Sequence, residues 1–147
     1  MKLANYAALV ALTLSIAVGG MSCKQSGASG KAAIERAVAD MEKGKARIEG
    51  STAGKSPIEQ MTAMNQMLSE IDVTDCPADF RQKFYDMKTA FTDLKGLMSE
   101  VNSARARGGT TADRDALLRK LDEVKNRGEN ATRELEAIAK GYGVTMK

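Results

Sequence analysis

The stretch Phe80 to Val101, FRQKFYDMKTAFTDLKGLMSEV, decides how this chain folds. Phe80, Phe84, Met87, Phe91, Leu94, Met98 and Val101 recur at spacings of four and three, the seam of a helix laid against a partner. Just upstream, TDCPADF (74–80) reads as a helix start. Pro77 suits the first helical position, Cys76 should lie at or just outside it because a residue before proline avoids the α region, and Asp79 complements the positive end of the dipole.

The partner follows directly. GGTT (108–111) closes that helix and caps the next, which the pattern places from about 112 to 140. Leu117, Leu121, Val124, Gly128, Ala131, Leu135 and Ile138 repeat the same spacing. Two seams of equal length joined by a tight turn should pack antiparallel, setting Val101 near Leu117, Phe91 near Gly128, Met87 near Ala131 and Phe80 near Ile138. On this reading the Phe91 ring lies over Gly128, and Phe91→Ala should cost about 3 to 5 kcal/mol.

Two shorter helices precede the hairpin. The first, about 31 to 49, carries Ile34, Val38, Met41 and Ile48 on one stripe, with Lys45 interrupting it, and GSTAGK (50–55) ends it. The second opens on SPIE (56–59), where Ser56 is placed as N-cap, Pro57 as the first helical residue and Glu59 as the reciprocal partner of a capping box. It runs to about Ile71 with the stripe Met61, Met64, Leu68 and Ile71. The fold expected is all-α: an antiparallel four-helix bundle over residues 31–147 with a long hairpin of helices three and four, about 45 Å long, projecting beyond the shorter pair.

Composition supports helices and narrows the chemistry. Aromatic residues make up 4% of the 147 residues and tryptophan is absent, against the profile of a β-sandwich. There is no histidine, so the usual acid/base residue near neutrality and the commonest nitrogen ligand for metals are missing. A balance of 22 basic and 19 acidic residues, +3 overall, is too even for a nucleic-acid footprint. No nucleic-acid partner is expected.

The first 22 residues read as a signal peptide. Met1-Lys2 gives a positive start and Leu3 to Val18, LANYAALVALTLSIAV, an apolar core too short for a convincing membrane span. After it, GGMSCKQSG (19–27) places Gly20 and Ser22 before Cys23. In these residues the chain resembles bacterial lipoproteins, whose signal ends in a small residue before a cysteine that becomes the lipidated first residue. Gly20 and Met21 depart from the usual lipobox, and small residues at Gly20 and Ser22 equally satisfy the cleavage site of a soluble secreted protein. The Ser- and Gly-rich stretch 23–30 reads as a flexible tether, which favours the anchored form. The resemblance implies lipidation at Cys23, attachment to a membrane through that lipid and, from Lys24 after the cysteine, the outer membrane facing the periplasm.

Three further motifs invite chemistry. MTAMNQM (61–67) spaces three methionines three apart. That pattern suits core packing, with Met61 and Met64 on the apolar stripe and Met67 at its edge, or a soft copper(I) site in an exported protein. GSTAGKS (50–56) has one residue too few between its glycines for a phosphate loop. Cys76, at a helix start, is a thiol whose ionised form the dipole would favour. It is expected either free, as a buried and inert thiol or one able to link two copies, or paired with Cys23 if that residue carries no lipid. DFRQKFYDM (79–87) is similar to the third-helix opening of the periplasmic b-type four-helix-bundle cytochromes; that family's histidine haem ligand has no counterpart here, so the resemblance implies architecture without haem.

At the hairpin tip, ARARGGTTADR (104–114) gathers Arg105, Arg107 and Arg114, a solvated turn or a contact point for an acidic partner. No acid, base and nucleophile converge, so no catalytic residues, metal or cofactor are expected. The function expected is a lipid-anchored, non-catalytic envelope protein acting through contacts with another envelope protein or structurally. The alternative is a carrier of a small ligand or copper(I) in a methionine-lined bundle interior.

Overall fold

The computed structural model describes residues 28–108 and 110–146. The expected signal peptide, Cys23 and the first half of the tether lie outside the described residues. Within them the chain forms four α-helices and no strand: α1 Ala28–Ser51, α2 Pro57–Glu70, α3 Ala78–Ala106 and α4 Thr111–Gly141. None is long and apolar enough to cross a membrane.

Local chemistry sets the helix ends. At α2 the Ser56 hydroxyl accepts from the Glu59 amide while the Glu59 carboxylate accepts from the Ser56 amide at 2.8 Å, the expected capping box. Thr110 and Asp113 repeat the device at α4. At the end of α1 the Thr52 amide and hydroxyl both donate to the Ile48 carbonyl, at 2.9 and 2.7 Å, and Thr52 is buried there. After α4, Gly143 takes a φ of 77° and the Val144 amide returns to the Ala139 carbonyl at 2.9 Å. That reversal drops Val144 into the core.

Two starts differ from expectation. α1 begins at Ala28, so Ala28, Ser29 and Gly30 of the expected tether are helical. Gly30 approaches the Pro77 ring so closely that a Cβ there would lie 3.1 Å from it; a glycine that reads as linker is a point of close packing. Pro77 is the N-cap of α3 rather than its first helical residue.

The α3–α4 hairpin has the largest packing interface, α2 lies against α3 and α1 against α2; α1 and α4 barely approach each other. Phe80, Phe84, Ile34 and Leu135 are the largest fully buried side chains, and one core joins all four helices to Val144. The hairpin is antiparallel, as the ion pairs Lys83–Glu134 and Asp93–Arg127 show. Its register is the one that three of the expected pairs imply, Val101 with Leu117, Met87 with Ala131 and Phe80 with Ile138; the fourth, Phe91 with Gly128, is one residue off. Gly128 faces Ala90, whose Cβ would lie 3.4 Å from a Cβ on the glycine, and Phe91 does not cover it. Small meets small, so the two backbones approach at mid-hairpin. Phe91 is half-buried on the wall of the interior, and its main-chain carbonyl accepts from the Asn65 side-chain amide of α2 at 3.2 Å.

Candidate functional site

Because α1 packs on α2 and hardly meets α4, the middle of the molecule does not close. A cavity of about 230 Å³ lies between the helices. Its walls on α2 and α3 are apolar apart from Gln60, whereas its charged residues all come from α1 and α4. The charged side of the cavity thus comes from two helices that make little contact with each other.

Methionine is the signature of this site. Of the nine methionines in the sequence, Met1 and Met21 lie outside the described residues, and all of the other seven line this one cavity. Met41 comes from α1, Met61, Met64 and Met67 from α2, Met87 and Met98 from α3, and Met146 from the tail after α4. Unbranched, polarisable thioethers fit irregular apolar surfaces and adapt to what lies on them. A core needing only volume would use leucine and isoleucine at several of these positions.

The expected roles within MTAMNQM are partly reversed. Met67, placed at the edge of the stripe, is buried at 5% exposure, while Met61 and Met64 are half-buried on the cavity wall. The cause is Gly44 on α1, which lies against Met67: a Cβ there would come within 2.3 Å of Met67 Cγ. With α1 on one side and α3 on the other, α2 has a wider buried face than a single stripe.

Lys45 breaks the apolar stripe of α1, and its place explains why. It is half-buried on the cavity wall and takes part in no ion pair among the described residues. Three of the other four charged lining residues have an interaction of their own. Lys125 pairs with Glu129 at 3.8 Å, Glu42 has a partner, and loss of water around Glu136 raises its carboxyl above the usual range.

The sequence-derived candidates stand elsewhere. Cys76 lies two residues before α3 and is buried at 5% exposure; desolvation pushes the thiol up, opposite to the direction expected from the dipole and in keeping with the buried, inert alternative. Arg105, Arg107 and Arg114 are exposed around the α3–α4 turn, away from the cavity. Among the described residues no group of three or more Cys, Asp or Glu side chains is placed to hold a metal. The sequence pointed to Met61, Met64 and Met67, and to Lys45 as an interruption, but not to their convergence with Met41, Met87, Met98 and Met146. The available signal was that every methionine after residue 30 in helices one to three falls on or beside an apolar stripe. No protein-family model, curated protein sequence or solved structure matches this chain.

Proposed function

We propose that this protein is an exported, lipid-anchored, non-catalytic carrier of the cell envelope, which holds a small apolar ligand inside an antiparallel four-helix bundle. The signal peptide of residues 1–22 would be removed and Cys23 would carry the lipid that ties the bundle to the outer membrane, facing the periplasm. One observation carries the choice of a carrier over an element working only through protein contacts: every methionine of the described residues lines one cavity. The methionines are strung along it, over about 16 Å between Met87 and Met98 on α3 alone, which supports an organic ligand over a single copper(I) ion gathered by a few sulfurs.

Native mass spectrometry of the protein purified from its own host tests this. The expected result is a small organic adduct released on denaturation, on a chain that begins at acylated Cys23. A cavity empty in the purified protein and unresponsive to added apolar compounds, with another envelope protein co-purifying, would replace the carrier with the contact role.

A further inference from the structure

We infer that the methionine-lined cavity takes one unbranched alkyl chain whose carboxylate is held by Lys45, making a medium-chain carboxylic acid the ligand; this rests on the carrier reading and names its cargo. The shape argues for a chain. Lining residues run from Leu121 to Glu136 on α4, about 22 Å, and from Met87 to Met98 on α3, about 16 Å. A volume of about 230 Å³ drawn out over that length is narrow, suited to a chain rather than a fused ring. Scaled from an apolar cavity of ~150 Å³ that takes up benzene, it holds roughly nine carbon atoms.

The head group follows from the charges that α1 and α4 bring to the cavity wall. Of the five charged lining residues, Glu42 has a partner, Lys125 and Glu129 have each other, and desolvation raises the Glu136 carboxyl above the usual range. Lys45 and Glu136 take part in no ion pair among the described residues, and Lys45 is the positive one of the two. Three contacts fix its height: Gly44 meets Met67, Asn65 bonds to Phe91, and Ala90 faces Gly128. Lys45 adjoins this level, partway along the methionine wall. A carboxylate at its ammonium therefore leaves the chain apolar surface to follow, and a charge-assisted hydrogen bond sheltered by the apolar wall is stronger than one in water.

Calorimetric titration of the purified protein with decanoate, 1-decanol, decyltrimethylammonium and naphthalene separates the possibilities. Decanoate is expected to saturate one site per chain and to bind at least about tenfold tighter than the ammonium compound. Lys45→Met should weaken decanoate by about tenfold and leave decanol nearly unchanged, while Lys45→Arg keeps decanoate binding. Equal binding of decanoate and the ammonium compound, or equal losses of decanoate and decanol in Lys45→Met, would overturn the head-group assignment. Binding of naphthalene but of no decyl compound would overturn the chain and leave the carrier standing. Binding of none of the four would sink both.

Discussion

Gly44 and Met67 are fitted to each other across the α1–α2 interface: a Cβ on the glycine would lie 2.3 Å from Met67 Cγ and 2.8 Å from its sulfur. The atom in the way is Cγ, close to the backbone, so a rotation at the end of the side chain does not clear it. Gly44→Ala gains about 1 kcal/mol of helix propensity and meets an overpacking cost of about 1 to 3 kcal/mol, for a net loss of stability. Adding Met67→Ala should make the two changes non-additive, the glycine substitution costing less once the methionine is gone. Urea unfolding of the four proteins measures this; a stabilised Gly44→Ala protein would show that the interface is not closed there.

Gly96 provides the contrast, being inside α3 with nothing within 4 Å of the position a Cβ would take. With no clash to offset the propensity gain, Gly96→Ala should stabilise by about 0.5 to 1 kcal/mol. Thermal unfolding should show a raised midpoint, and a lowered one would count against a regular helix at that point.

Phe84 and Phe91 share a seam but not a role. Phe84 is 1% exposed in the core, and Phe84→Ala should cost about 3 to 5 kcal/mol. Phe91 is half-buried on the cavity wall, so Phe91→Ala widens a space already present and should cost distinctly less. Equal losses in denaturant unfolding would restore the ring to the centre of the hairpin.

Cys76 should react slowly with a soluble thiol reagent in the native protein and rapidly in denaturant, because it is buried and its thiolate is disfavoured. Raising a thiol's pKa on folding means that the folded state holds its proton more tightly than the unfolded chain. The contribution is complete below the ordinary value of 9.0 and is lost as pH rises from there through the folded-state value. Cys76→Ala should therefore flatten the alkaline fall in stability. A native reaction rate equal to that of the unfolded chain would contradict the burial.

Glu136 works in the same direction at lower pH. Desolvation raises its carboxyl, so its contribution is complete below the ordinary 4.5 and is lost as pH rises through the folded-state value. Glu136→Gln, which keeps the shape and removes the charge, should leave stability at neutral pH equal or higher and flatten its dependence on pH just above 4.5. A marked loss at neutral pH would mean that the carboxylate has a counter-ion.

The parts of this molecule legible in its sequence are those fixed within a few residues. Ser56 with Glu59, the turn at Gly108 and the spacing of Phe80, Phe84 and Met87 are local, and each reads directly onto a cap, a reversal or a buried face. Longer relationships were less accessible. The hairpin register implied by Val101 with Leu117, Met87 with Ala131 and Phe80 with Ile138 is the one in which Gly128 meets Ala90, but the residue opposite the glycine was misplaced, because Ala90 lies off the seam of large residues and Phe91 on it. Gly30 looks like a linker until Pro77 is known to press on it. The cavity depends on how far α1 stands from α4, which no spacing along one helix encodes; Lys45 marked it as an irregularity without showing what it faced.

The neighbour-to-neighbour packing of the helices also sets an order of assembly. Each substantial interface joins elements adjacent along the chain, and both α2 and α4 carry their own start signals, so most contacts form without closing long loops. The α3–α4 hairpin, with the largest interface and the shortest connection, is the natural nucleus. The limited contact between α1 and α4 joins the two ends of that sequence. On that order the methionine cavity, whose wall draws on all four helices, would be completed only when α1 docks.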